Sequence, residues 1–382
     1  MSLPALQPTY APFAFEMASA SGDVIQDTEG RAWLDFYGGH CVASTGHCHP
    51  AVVEAIQAQA GKLLFYSTAG KLGIREQAAE ALVSFATGMA SVFFCNTGAE
   101  ANESALKLAL QLTGRKRLAA VQGGWHGRSL LALSVTDDAP LHQGLESVLH
   151  HARMLPFGDQ AALETVDFSE LAAVILEPIQ SMAGCRVHPL GWLRKLREKC
   201  TASGTLLIFD EVQTGFGRLG HPFAFHAFGV RPDLVTCAKG IASGVPMGAL
   251  LMSESVAGQV KTGMLGSTFG GGPLACAALL ATLKVIADEQ LCQRAGALEM
   301  KVRTGLQGSV VQAVTGQGLL LGLQAGAAAK ALKDHLFERR ILVGSSHDPA
   351  TLRLMPPLTL SDASVEAFLE AVHAFSPLAV GV

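Results

Sequence analysis

Lys239 stands in Ala238-Lys239-Gly240, directly after the apolar run Leu234-Val235-Thr236-Cys237 and close to Gly244. A lysine delivered by a buried strand has little solvent around its amine. Desolvation lowers the amine pKa and makes it a nucleophile suited to a Schiff base with an aldehyde. Asp210 follows a second apolar run, Leu206-Leu207-Ile208-Phe209, and opens the string Asp210-Glu211-Val212-Gln213-Thr214-Gly215. A carboxylate carried into a cleft must have a partner, which a metal, an arginine or a protonated ring nitrogen could supply. A third string, Asn96-Thr97-Gly98-Ala99-Glu100-Ala101-Asn102, joins an apolar run to a helix. Small residues there leave helix-start N–H groups free to hold a phosphate. Each feature alone has a plainer reading: a solvated surface lysine, a helix-capping aspartate, a tight turn without ligand.

Taken together the three answer one another. Pyridoxal phosphate needs a lysine for its aldehyde, a carboxylate on its pyridine nitrogen and a phosphate cup. Lys239 and Asp210 are the expected catalytic pair on this reading, with Gly98 and Ala99 in the cup. The flat ring needs packing on both faces. Trp125, in Gly124-Trp125-His126-Gly127-Arg128, could stack on one face unless it is a core aromatic, and Val212 could press on the other. Gln213 could reach the ring hydroxyl.

These residues need elements to position them. Apolar runs at Ser91–Cys95, Ala172–Leu176, Leu206–Phe209, Leu234–Cys237 and Ala249–Met252 predict buried strands. Helices are expected at about Ala99–Leu112, Leu193–Cys200 and Pro273–Glu289. Strands apolar throughout and separated by helices imply a mostly parallel sheet covered on both faces, with ligands at the strands' carboxyl ends. Asn96–Glu100, Glu177, Asp210–Gln213 and Lys239 all follow strands directly, so four strand ends point at one crevice. Beyond the helix near Glu289 a hairpin is expected in 310–323, a helix over 327–340, a strand at 352–354 and a helix over 362–375. The expected fold class is α/β, a large domain over 61–290 with a small α+β domain from 291–382 and the N-terminal segment 1–60.

Bulk properties narrow the function classes. Half of the 382 residues are apolar and 16% are charged, which suits a chain with much buried surface and excludes a disordered one. The net charge of −4 and the lack of a Lys/Arg block argue against a nucleic-acid partner. Residues 1–15 show no secretory pattern and no apolar run reaches the ~18 residues of a membrane span, so a cytoplasmic protein is expected. Eight scattered cysteines without a CxxC pair suggest reduced thiols. His47-Cys48-His49 could suggest a metal, but adjacent side chains converge poorly on one ion, and a packed turn before Pro50 accounts for them.

The strings NTGAEAN, GWHGR, EPIQ, LLIFDEVQTGFGR, the AKG around Lys239 and GSTFGGGPLACAA resemble those of class III pyridoxal-phosphate-dependent aminotransferases, in the branch using acetylornithine and succinylornithine. The resemblance runs from about Gly22 to Pro357. It implies a fold-type-I homodimer with a seven-stranded sheet and active sites shared between subunits. It also implies that Thr268 contacts the phosphate held by the neighbouring subunit, that Ser267 touches substrate, and that Arg128 and Arg353 each grip a substrate carboxylate. Two guanidinium groups suit that task because each binds a carboxylate as a bidentate fork. The sequence departs from the family pattern at three places. Ser181-Met182 replaces the Gly-Glu that often follows EPIQ, whose glutamate pairs with the C-terminal arginine as a gate. Trp125 replaces the commoner Phe, and Gly272 the usual Asn of GGNP.

The expected reaction is transfer of the ω-amino group of an N-acylated ornithine to 2-oxoglutarate, giving the semialdehyde and glutamate, in amino-acid biosynthesis of the arginine type. Ornithine, 4-aminobutyrate or another ω-amino acid are alternative donors. An aminomutase or racemase would keep the fold but need no external keto acid. A non-enzymatic relative would be expected to have lost Lys239 or Asp210.

Overall fold

The computed structural model describes residues 5–7 and 9–376. Its central sheet has seven strands: β1 (Ser91–Cys95), β2 (Arg117–Val121), β3 (Arg153–Leu155), β4 (Leu171–Leu176), β5 (Leu206–Asp210), β6 (Leu234–Cys237) and β7 (Gly248–Met252). They lie in the order β1-β7-β6-β5-β4-β2-β3. Neighbours from β6 to β3 are parallel, and β7 alone is antiparallel, to both β6 and β1. The sheet is mostly parallel, as the sequence pattern requires. The pattern does not mark β2 or β3, because β2 is rich in alanine, a weak strand former, and β3 has only three residues.

Every residue of β4 is buried, and its alternate side chains serve opposite faces. Ala173 and Ile175 join Ile208 and Leu250 under Leu106 and Leu108 of helix α1 (Gly98–Thr113). Val174 and Leu176 join Phe209, Val235 and Leu251 on the other face, with Trp192 and Leu196 of helix α2 (Leu190–Ser203). Each fully buried Val, Leu, Ile or Phe side chain contributes about 1.5–3 kcal/mol. Two-sided burial fixes the sheet rigidly and leaves only its ends for chemistry.

The remaining strands flank this body. Met17–Ser21, Val24–Asp27 and Ala32–Asp35 form an antiparallel meander, and Ile341–Leu342 from the far end of the chain pairs parallel with the last of them. The expected hairpin is Ala313–Gln317 with Leu320–Gln324, to which Thr351–Leu354 and then Gly344–Ser345 add. The helix expected over 327–340 runs Ala329–Glu338 after a 3-10 turn at Gly326–Ala328, and the last helix is Asp362–His373. Helix Pro50–Ala60 packs on helix α3 (Pro273–Asp288). His49 caps the former, its ring accepting from Ala51 N–H at 3.3 Å, while His47 bonds Asp35 at 2.7 Å. Among the described residues no helix is long and apolar enough to cross a membrane.

Candidate active site

Strand ends build the site. β1 ends in the turn Asn96–Thr97, β2 leads to Gly124–Arg128, β4 to Glu177, β5 to Asp210 and β6 to Lys239. An inner cavity of about 370 Å3 is lined by Gly98, Ala99, Trp125, Asp210, Val212, Gln213 and Lys239, among others. An outer cavity of about 570 Å3 shares Ala99, Trp125, Gln213 and Lys239 with it and adds Arg128 and Arg353. Nine of the eleven site residues singled out from the sequence therefore meet in one continuous space. Ser267 and Thr268 do not line it: Ser267 hydroxyl donates to Glu100 Oε1 at 2.9 Å, and Thr268 is exposed.

Lys239 adopts a left-handed backbone, φ +48°, at the mouth of β6. Such a conformation costs a non-glycine residue about 1–3 kcal/mol and persists only where surrounding structure imposes it. Gly240 beside it packs against Ser44, where any Cβ would collide with the Ser44 Oγ. Burial pushes the Lys239 amine below its ordinary pKa; Cys41, Asp210 and Glu177 pull it back and Arg353 lowers it further. The result is an amine less protonated than a surface lysine and aimed at the cavity.

Asp210 is held by three donors: Asn102 Nδ2 and His126 Nδ1, both to Oδ2 at 2.8 Å, and Val212 N–H to Oδ1 at 3.1 Å. Asn102 is itself fixed, donating to the His126 carbonyl at 2.7 Å and accepting from the Thr236 hydroxyl at 2.5 Å. This network fixes the carboxylate's plane while it still lines the cavity.

The α1 start matches a phosphate cup. Thr97 hydroxyl takes Glu100 N–H at 3.1 Å and Thr97 carbonyl takes Ala101 N–H at 3.0 Å. The Gly98 and Ala99 N–H groups are left at the cavity wall, where the helix dipole adds positive potential. A Cβ on Gly98 would lie 2.9 Å from Val212 Cγ2, so a glycine is required for Val212 to stand where it does. Trp125 faces the same space rather than the core. Its backbone N–H donates to Glu177 Oε1 at 2.8 Å, and the Arg128 guanidinium lies 5.0 Å from its ring. An amine, a held carboxylate, an N–H cup and two flanking side chains together fit a phosphorylated pyridine aldehyde.

Arg353 comes from the strand Thr351–Leu354 and is 5% exposed. It donates from Nε to the Ser345 carbonyl at 2.6 Å and from Nη1 to Ser181 Oγ at 2.8 Å. Arg128 is exposed and bonds the Tyr10 hydroxyl at 3.0 Å. Among the described residues neither guanidinium has a carboxylate in ion-pair range. Two cations on one cavity, neither paired with the Asp138 that also lines it, suit a ligand that brings carboxylates.

Some participants have no role in the sequence reading. His126 and Asn102 lie inside its strings, but only the fold shows that both hold Asp210. Glu177 ends β4, fixes Trp125 and accepts Ser181 N–H at 3.3 Å; burial pushes its carboxyl up to about 7. His40 reaches the outer cavity because Gly38, Gly39, His40 and Cys41 all carry positive φ (62°, 55°, 63° and 68°). The Gly38-Gly39 pair is the visible signal for that turn.

The comparisons with known proteins agree with this geometry. The family model for class-III aminotransferases matches residues 5–375. The acetylornithine aminotransferase of Methanosarcina mazei is 40% identical over 369 residues, 96% of this chain and 92% of its own length. That of Mycolicibacterium smegmatis is 39% identical over 96% of this chain and 94% of its own. Among solved structures, Toxoplasma gondii ornithine aminotransferase superposes with a TM-score of 0.90 at 29% identity, over 96% of this chain and 91% of its own. Acetylornithine aminotransferase from Elizabethkingia anophelis does so with 0.84 at 30%, over 97% of this chain and 96% of its own. A matched family model over almost all of the described residues, on a site equipped for an aldehyde cofactor, makes this chain a member of the class-III aminotransferases.

Proposed function

We propose that the protein moves the terminal amino group of an N-acylated ornithine, acetylornithine or succinylornithine, to 2-oxoglutarate. The observation that carries this reading is the joining of two spaces: a cofactor-sized cavity flanked by Lys239 and Asp210, and an outer cavity bearing Arg128 and Arg353 without acid partners. The names of the relatives in Methanosarcina mazei and Mycolicibacterium smegmatis support it.

Pyridoxal phosphate, the cofactor of the family, supplies an aldehyde and an electron-accepting ring. Asp210 would pair with the ring nitrogen and keep it protonated, so that the ring could take electrons from the C–H bond of the substrate carbon that bears the amine. Lys239 Nζ would hold the cofactor by its aldehyde group and would be the base that moves a proton at the amine-bearing carbon of the substrate. Gly98 and Ala99 N–H groups would hold the phosphate, Trp125 and Val212 would bracket the ring, and Gln213 would bond the ring hydroxyl. Arg128 would take the carboxylate of the acylated ornithine and Arg353 that of the acceptor, and Ser267, which bonds Glu100 outside the cavity of its own chain, would add a substrate contact from the α1 start.

The same reading assigns a homodimer in which Thr268 serves the neighbouring subunit's phosphate, and a cytoplasmic location in keeping with eight unpaired cysteines. It treats 61–290 as the cofactor domain and 1–60 with 291–382 as the small domain, supported by the pairing of Ala32–Asp35 with Ile341–Leu342. The test is a donor panel of acetylornithine, succinylornithine, ornithine and 4-aminobutyrate with 2-oxoglutarate, following glutamate. Acylated ornithines should lead; no glutamate from any of the four would overturn the substrate assignment.

A further inference from the structure

Ser181 is fully buried and engaged at both ends. Arg353 Nη1 donates to its Oγ at 2.8 Å, and its own hydroxyl donates to Gln213 Oε1 at 3.0 Å. The direction of this chain is forced, because a guanidinium has donors only, so the serine accepts from it and keeps its O–H for the amide. With its carbonyl oxygen turned to Ser181, Gln213 keeps its Nε2 hydrogens for the cavity that it lines with Lys239. One hydroxyl thus connects the buried arginine of the outer cavity to a side chain of the inner one.

The surroundings make this link matter. Arg353 has no carboxylate in ion-pair range among the described residues, and the side chain next along the chain from Ser181 is Met182, which lines the outer cavity with it. Burying a cation without a counter-charge is costly, so the site draws an anion from solution, and neutral contacts must hold the guanidinium ready for it. The Ser345 carbonyl takes Nε and the Ser181 hydroxyl takes Nη1. Removing either would let the fork swing.

Resting on the transaminase reading, we propose that Ser181 is a positioning residue that keeps Arg353 set for the carboxylate of the dicarboxylic acceptor and ties it to Gln213. Arg353 then needs no acid to move aside before the acceptor binds. The acceptor half of the reaction depends on Ser181, and binding of the acylated amine through Arg128 does not. Introducing an acid beside it, Met182→Glu, gives Arg353 an internal competitor.

The experiment measures glutarate binding to the cofactor-loaded protein by calorimetry; glutarate has the carboxylate spacing of 2-oxoglutarate but no keto group to react. Ser181→Ala should weaken glutarate about tenfold and Ser181→Thr should restore it to within about threefold of wild type. Met182→Glu, at a half-buried position that tolerates change, should also weaken glutarate, by about tenfold or more. In turnover, Ser181→Ala should raise KM for 2-oxoglutarate while kcat and the KM for acetylornithine stay within about twofold. Wild-type glutarate affinity in both Ser181→Ala and Met182→Glu would overturn the proposal. If the glutarate pattern holds but no ω-amine is turned over, the substrate reading fails and the Ser181 assignment stands.

Discussion

At the scale of single residues, Lys239 and Asp210 are held by different physics. The lysine is set by backbone strain and desolvation, the aspartate by three hydrogen-bond donors. Lys239→Ala should abolish the visible absorbance that the cofactor gains on bonding the enzyme, and reduce turnover by about four orders of magnitude or more. Retention of that absorbance would remove Lys239 from its role. Asp210→Ala should still bind cofactor weakly but lose most turnover if Asp210 is the carboxylate that keeps the ring nitrogen protonated; near-normal kcat would refute that role. Their place at the cavity was legible in the sequence because each follows an apolar run and the two answer the 96–102 string, although each alone has a plainer reading. Their supports were not. Asn102 and His126 lie 108 and 84 residues from Asp210 along the chain, and only the fold brings them together. Glu177 fixes Trp125 through a backbone N–H, which no side-chain pattern can announce.

At the scale of elements, β1, β4, β5, β6 and β7 were legible from their apolar runs, whereas β2 and β3 were hidden by alanine and by brevity, and the reversed direction of β7 left no mark in the sequence. The helix-start cup depends on Gly98 packing edge-on to Val212. Gly98→Ala places a Cβ 2.9 Å from a β-branched side chain that has few rotamers to yield into. It should lower cofactor affinity about tenfold while the circular dichroism spectrum stays that of wild type; unchanged affinity would show that Val212 does not set the ring plane. A second element-scale case is His188, stacked between Phe157 and Trp192 with ring centroids 4.3 and 4.8 Å away. Burial and the nearby Arg186 push its imidazole down to about 3. A depressed histidine contributes stability that is complete above the unfolded value of about 6.5 and is lost as pH falls toward 3. His188→Leu has no such loss. Whatever its offset at pH 7, the variant's melting temperature relative to wild type should rise by several degrees between pH 7 and pH 4.5, as differential calorimetry would read. A constant offset would mean that His188 carries its proton in the folded state.

At the scale of the whole molecule, one chain makes a complete inner cavity but leaves Thr268 on an exposed loop. Beside it lies an apolar surface that a single chain does not cover: Leu64 is 61% exposed, Tyr66 55% and Phe269 63%. These residues form one surface and not scattered exceptions. The rings of Phe65 and Phe269 stand 5.0 Å apart, and Arg75 ties the two segments by donating to the carbonyls of Tyr66, Gly70 and Gly271. An exposed apolar patch next to the proposed phosphate contact Thr268 supports the proposed subunit interface with a shared site. Light scattering should therefore give twice the 39.9 kDa chain mass. Leu64→Asp with Phe269→Asp should shift that mass to the monomer and weaken cofactor retention at the same time, since each protomer would lose the other's Thr268. The inner cavity's own groups stay in place in that variant, so the lost retention would measure what the second subunit contributes. An active wild-type monomer would separate the cofactor site from assembly, and Thr268 would then have no part in holding the phosphate.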